Sequence, residues 1–150
     1  MKKFFLLSAL LMFLIFPAKV NSAANWVWIY SDSYETFWID NNSIGRDSNG
    51  FFAYFKETYR DAGKNRIIEF LRSNGLSVNG YYDLSNSIWF IYFKNSGRTK
   101  YLTTMRYAYY SKNGTVLDSW STNNFNWQRV IPSSYGETKY DAAYARVRGK

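Results

Sequence analysis

Hydrophobic side chains recur at every second position along most of the chain after Asn25, and this period of two is typical of β-strands. The longest run, Thr99–Ser111, is followed by Asn113-Gly114, which favours a two-residue hairpin because both residues tolerate positive φ. Ser87–Phe93 is apolar on both faces, so we expect a central strand with material packed on each side. The pattern therefore predicts an antiparallel sheet.

Six segments carry the strand pattern. We predict strands at Trp26–Tyr30, Tyr34–Asp40, Phe51–Arg60, Ser87–Phe93, Thr99–Ser111 and Thr115–Ser121, after which an irregular loop at residues 122–126 leads into Trp127–Ile131. Strict alternation within the longest strand places Met105 on the same face as Tyr107 and Tyr109. Residues 61–65 have the composition of a loop, Arg66–Arg72 fits either a strand or a short helix, and Leu76–Val78 fits a short strand.

The period changes at the end of the chain. Ser134 and Glu137 fit a capping box, in which a hydroxyl and a carboxylate accept from free N–H groups of a helix start. The apolar positions that follow have helical spacing and share one face: Tyr140, Ala143, Tyr144 and Val147. The predicted fold class is α+β, a single antiparallel β-sheet with a C-terminal amphipathic α-helix packed on it.

The chain contains neither Cys nor His. It therefore has no imidazole base, no thiolate nucleophile, no ordinary zinc, haem or iron–sulfur ligands and no disulfide. The core must be held by packing alone, and aromatic residues, 21% of the chain, can supply that packing.

The N-terminus has the pattern of a secretory signal peptide. Lys2 and Lys3 precede an apolar run, Phe4–Phe16, and small residues follow at Ser22–Ala24. The run is shorter than the ~18 residues that a membrane-spanning helix needs. We predict a signal peptide at residues 1–24, cleaved after Ala24 or one or two residues earlier. The product is an exported domain, residues 25–150, without a transmembrane anchor.

Several of these segments together resemble one bacterial family, the surface-adhesin protein E family. The matching N-terminal positions are Trp26-Val27, Ser31, Tyr34, Ile39-Asp40, Ser43-Ile44 and Arg46-Asp47. The matching C-terminal positions are Tyr109 to Gly114, Trp127, Ile131-Pro132 and Ser134 to Glu137. The similarity spans nearly the whole exported chain and is weakest at residues 60–85.

The resemblance implies a small exported domain and, in the named adhesin, attachment to host matrix proteins such as vitronectin and laminin. Many members carry two Cys, whereas the equivalent regions here, near Phe93–Ser96 and near Tyr144, contain none. Because a disulfide contributes about 2–4 kcal/mol, its absence bears on stability more than on fold.

Catalytic and metal sites have weak support in the sequence. A glycosidase needs two clustered carboxylates, but the acidic residues are scattered, and no Ser precedes a Lys of the exported chain by three positions. The oxygen-rich Asp40–Ser43 segment with Asp47 lacks the spacing of a calcium loop, and a turn explains it better. We predict a protein that is not an enzyme and needs no metal or cofactor.

Basic residues supply the candidate partner-binding site. The formal net charge is +8, and Arg60, Lys64, Arg66 and Arg72 flank one connection, where they could engage an acidic polymer. Solvated surface charge is the alternative interpretation, for these four and for the basic C-terminus. Nucleic acid is not an expected partner of an exported protein.

Aromatic residues exceed what one inner sheet face needs, so a two-sided core, a homodimer and a ligand platform all stay open. We expect an exported, non-enzymatic surface protein that binds extracellular macromolecules, namely matrix or plasma proteins or acidic polysaccharide. The alternative is a periplasmic or envelope structural or interaction protein.

Overall fold

The computed structural model describes residues 23–149 of the 150-residue chain. The predicted signal peptide therefore lies outside the described residues, except for its last two positions. No helix within residues 23–149 is long and apolar enough to cross a bilayer.

One antiparallel sheet of eight strands forms the framework, with the order β1-β2-β4-β5-β6-β7, while β3 pairs with β4 and β8 with β6. The strands are β1 Trp26–Ser31, β2 Glu35–Asp40, β3 Gly45–Asp47, β4 Gly50–Tyr59, β5 Leu84–Ser96, β6 Thr99–Ser111, β7 Val116–Ser121 and β8 Gln128–Arg129. Within the described residues, two α-helices, α1 Asp61–Ser73 and α2 Tyr135–Arg148, lie on the sheet. The predicted α+β class and C-terminal helix are confirmed.

Helix α2 covers the main core. Ser134 Oγ accepts from the Glu137 N–H at 3.3 Å, and Glu137 Oε2 accepts from the Ser133 N–H at 2.8 Å. This reproduces the predicted capping box, although the carboxylate caps Ser133 rather than Ser134. The predicted apolar stripe faces the sheet, where Tyr140 and Ala143 are fully buried against β2, β4 and β5.

The loop predicted at residues 61–65 is wrong, because these residues form the first turns of helix α1. Its apolar stripe is short: Ile68 is buried, and Ile67 and Leu71 pack beside it against Tyr81. The strand expected at Leu76–Val78 is also wrong, since that stretch is irregular and leads into a 3-10 turn. Tertiary packing on the sheet, rather than local pattern, selects the helix.

A bulge at Met105 breaks the predicted alternation of β6. Phe90 pairs with Arg106 whereas Ile91 pairs with Thr104, so two residues of β6 oppose one of β5. Met105 therefore faces away from the side that carries Tyr107, which corrects the expected grouping.

The two faces of the sheet differ. Buried Ile91 and Phe93 of β5 lie under α2, whereas Ile88, Phe90 and Tyr92 point the other way and are only half-buried. Strand β5 is central, as predicted, but within residues 23–149 neither helix covers its second face. We call this uncovered side the open face and the side under α1 and α2 the helix face.

Candidate functional site

The four basic residues predicted to bind a partner lie on or next to α1. Arg60 is the N-cap, and Lys64 pairs with Asp61 at 3.1 Å. The Arg66 guanidinium lies 5.2 Å from the Tyr34 ring, and that of Arg72 lies 5.9 Å from the Tyr82 ring. Because a helix has 3.6 residues per turn, Lys64, Arg66 and Arg72 point in three different directions. The fold places the four residues near one another without joining them into one patch.

Aromatic rings run across the open face. Tyr54 stacks on Phe90 with ring centroids 4.6 Å apart, and Phe52 lies 4.9 Å from Tyr92. Phe125, from the loop after β7, meets the Tyr92 ring edge-on at 5.1 Å. Strand register brings these rings together, because β4 and β5 pair Tyr54 with Phe90 and Phe52 with Tyr92. The open face is therefore an ordered aromatic surface.

Lysines of the open face lie over indole rings. Lys56 Nζ is 4.9 Å from the Trp26 ring centroid and 5.4 Å from that of Trp38, and Lys94 Nζ is 4.2 Å from that of Trp127. Cation–π attraction favours this arrangement. Burial lowers the pKa of Lys56 below its usual value.

A shallow concavity of about 340 Å³ lies near the centre of the open face. Trp26, Tyr54 and Tyr110 line it with apolar rings, and the exposed Arg106 contributes its positive charge. Flat rings beside a guanidinium can hold the face of a sugar ring and an anionic substituent at the same time.

A second cavity, of about 490 Å³, lies on the helix face between α1 and the sheet. Its floor contains Trp89, Tyr107 and Tyr109, which form a cluster with ring centroids 5.1–5.8 Å apart. Ile67 and Leu71 of α1 form an apolar wall. We call this cavity the helix-face cleft.

Gly63 sets the position of α1 beside the cleft. A Cβ at this residue would lie 2.3 Å from the Tyr34 carbonyl oxygen, which belongs to the backbone and cannot move aside. The Arg60 N–H donates to the same carbonyl at 2.9 Å and joins the helix start to the residue that precedes β2. The absence of a side chain at Gly63 lets the helix approach the sheet this closely.

Glu57 is buried beside the cleft in a complete polar network. Lys139 of α2 donates to one carboxylate oxygen, and the Tyr59 hydroxyl donates to the other at 2.8 Å. Ser87 Oγ also donates to that second oxygen, at 3.3 Å, and accepts from Trp89 Nε1 at 2.7 Å. Since both oxygens are occupied, Glu57 is poorly suited to act as a base or a nucleophile. Burial raises the pKa of Tyr59 well above its usual value.

Glu35 faces the same cleft without such partners. Within the described residues, no group donates a hydrogen bond to its carboxylate and no cation forms an ion pair with it. Burial, and then repulsion from Glu57, raises the pKa of Glu35 to about 7. The fold therefore places one satisfied and one unsatisfied carboxylate in a single aromatic cavity.

The prediction that the acidic residues are all scattered is wrong for Glu35 and Glu57. Pairing of β2 with β4 aligns Glu35 with Tyr59 and Phe37 with Glu57, so the two glutamates are diagonal neighbours. The alternation of each strand already indicates that both glutamates point inward, because Glu35 is two positions from buried Phe37 and Glu57 is two positions from buried Phe55. Only the register of the two strands joins them.

The oxygen-rich segment at Asp40–Ser43 forms turns. Asp40 Oδ1 accepts from the N–H groups of Asn25 and Asn42, at 2.8 and 3.0 Å. Asp47 Oδ1 accepts from the Asn49 N–H at 2.8 Å. Among residues 23–149, no three acidic side chains are grouped so that they could hold a metal ion.

Comparison with protein-family models, with curated proteins and with solved structures gave no significant match to this chain.

Proposed function

We propose that the protein is an exported, non-enzymatic, adhesin-like binding protein whose open face binds an acidic extracellular polysaccharide. One observation carries the proposal: the open face combines ordered aromatic rings with Lys56, Lys94 and Arg106. The N-terminal signal pattern supports export, and the resemblance to the surface-adhesin protein E family supports an adhesin-like role.

Charge complementarity favours an acidic partner on this face. Its acids are already engaged, because Asp40 accepts from backbone N–H groups and Asp47 Oδ2 accepts from the Tyr92 hydroxyl at 2.8 Å. The cations have no carboxylate partner within the described residues, and two of them lie against rings. A sulfate or carboxylate of the partner would complete these pairs.

The experiment compares two variants with equal charge changes on immobilised heparin. The first replaces Lys56, Lys94 and Arg106 with Gln on the open face. The matched control replaces Arg60, Lys64 and Arg72 with Gln around α1. We expect only the open-face variant to lose binding at 0.15 M salt, where screening extends to about 8 Å. Equal losses would mean that net charge alone causes binding, and loss in the α1 variant alone would support the predicted basic site.

Two further measurements separate the remaining hypotheses. Binding to vitronectin or laminin, with no binding to heparin, would contradict a polysaccharide partner and support a protein partner. Protection of the protein from protease added to intact cells would support the periplasmic or envelope alternative. A homodimer remains a prediction, and sedimentation measures it directly.

A further inference from the structure

We propose that the helix-face cleft is a second binding site, separate from the open face, and that it takes a small amphipathic organic cation. The ligand's ammonium group would lie beside Glu35, and its apolar part would extend along α1. This proposal concerns the opposite side of the sheet and does not depend on polysaccharide binding.

The protein already holds one ammonium in this way. Lys139 Nζ donates to Glu57 and lies 5.1 Å from the Phe37 ring centroid and 5.5 Å from that of Trp89. Aromatic rings attract an ammonium ion through their π-faces, and a carboxylate adds a charge-assisted hydrogen bond. Glu57 and its rings are thus an internal example of the chemistry that the cleft offers.

Glu35 provides the same chemistry without the cation. Tyr59 is its cross-strand neighbour, and Tyr34 and Tyr135 line the cleft at the same end. No ammonium or guanidinium within the described residues pairs with this carboxylate. A bound cation would relieve its repulsion with Glu57, which is one of the two main causes of its raised pKa.

The other end of the cleft suits an apolar group. Ile67 and Leu71 form the wall, and two exposed side chains, Phe70 and Leu76, form the lip. A volume of about 490 Å³ is within the usual range for small-molecule sites, roughly 300–1,000 Å³. The cleft therefore has a carboxylate end and an apolar end, matching a ligand with a charged head and a hydrocarbon part.

Charge in the cleft favours a cation over an anion. Glu35 and Asp118 both line it, while Lys139 is already committed to Glu57. Among the described residues that line the cleft, Arg66 is the one cation, and its guanidinium lies over the Tyr34 ring. Removing the Arg66 side chain should strengthen cation binding in the cleft, whereas the same change would weaken the binding of any acidic partner at α1.

The test uses three six-carbon probes and isothermal titration calorimetry on the purified protein. Hexyltrimethylammonium is the cation, hexanol the neutral analogue and hexanoate the anion. We expect the cation to bind at least about tenfold more tightly than hexanol, and hexanoate not to bind. Glu35→Gln should remove that preference, while the matched control Glu69→Gln, on the exposed side of α1, should keep it. Phe70→Ala, at the exposed lip, should lower the affinity for the cation without affecting folding.

Three results would overturn the proposal. One is equal affinity for the cation and hexanol, which would make the cleft a nonspecific apolar site. The second is unchanged cation affinity in Glu35→Gln, and the third is no binding of any probe. Heparin binding by the open face is measured separately, so either proposal can fail alone.

Discussion

Glu35 of β2 and Glu57 of β4 are diagonal neighbours on one face of the sheet, and among the residues that the structure describes only Glu57 has an ion-pair partner. Lys139 neutralises Glu57 within a network that also contains Tyr59 and Ser87. For Glu35, burial and repulsion from Glu57 outweigh the attraction of Lys139 and Arg66, so its pKa is raised. The helix-face cleft therefore contains a carboxylate whose charged form the fold disfavours on balance, and such groups are enriched at functional sites.

Glu35→Gln should stabilise the protein at pH 8. The folded state holds the Glu35 proton up to a pKa of about 7, above the ordinary value of 4.5, so it binds more protons than the unfolded state between these values. Stability from this group therefore falls as pH rises from about 4.5 to 7 and then stays constant. We expect a gain of about 1–2 kcal/mol at pH 8, after allowance for partial exposure, and none at pH 4.

Urea denaturation at the two pH values measures this difference. Glu69→Gln, which removes an exposed carboxylate from α1, should show no such dependence. A Glu35→Gln protein that is less stable than the parent at pH 8 would contradict the account of Glu35.

Lys139→Met should be among the most destabilising single substitutions. It leaves the buried Glu57 carboxylate without its cation, and breaking a buried pair costs about 3–5 kcal/mol. Lys100→Met is the matched control, because Lys100 pairs with Glu137 and Asp141 near the surface, where a pair contributes about 0–1 kcal/mol. Denaturant midpoints should separate the two variants clearly. Similar losses would mean that the buried pair is not a special feature of this core.

Gly63→Ala tests the close approach of α1 to β2. Alanine should favour a helix by about 1 kcal/mol, but here its methyl group would meet the Tyr34 carbonyl oxygen. We expect a net loss of about 1–3 kcal/mol in unfolding free energy. In Gly136→Ala of α2, the new methyl group would lie 2.9 Å from the flexible end of Leu102 and 3.4 Å from Ser134 Oγ, with no backbone atom in the way, and stability should change by less than about 1 kcal/mol. If both variants gained stability, the contact at Gly63 would be looser than described.

Cation binding in the cleft should depend on pH. Hexyltrimethylammonium keeps its charge at every pH, so its affinity follows the charge of Glu35 and should rise as pH increases through about 7. The titratable and charged groups around Glu35 are Asp32, Tyr34, Glu57, Tyr59, Arg66, Tyr135 and Lys139. Burial raises the pKa of Tyr59 and of Tyr135, so neither hydroxyl titrates in this range. Affinity that does not change between pH 5 and 8 would exclude Glu35 as the binding carboxylate.

Local sequence pattern was sufficient for most of the sheet. Strand β6 begins and ends where alternation predicts, at Thr99 and Ser111, and the Ser134–Glu137 cap marks the start of α2. Helix α1 was not assigned because its apolar stripe is short and Gly63 weakens its helix propensity. The bulge at Met105 has no local signal, since it depends on pairing with Phe90 and Ile91.

The two candidate sites depend on pairing between distant segments. Glu35 and Glu57 meet through the β2–β4 register, and Lys139 reaches Glu57 from a helix 82 positions later in the chain. On the open face, Lys56 lies over Trp26 through the pairing of three strands. Composition predicted that aromatic and basic residues form the binding surface, but only the fold shows which of them share one face of the sheet.

The most direct test of separate sites on the two sides of the sheet is an NMR titration of the tryptophan indole N–H signals. A heparin oligosaccharide at 0.15 M salt should shift the signals of Trp26 and Trp38 on the open face and leave Trp89 in the cleft unchanged. Hexyltrimethylammonium should shift Trp89 and leave Trp26 and Trp38 unchanged. If heparin shifted Trp89 alone, or if both ligands moved the same signals, the assignment of one site to each face would be contradicted.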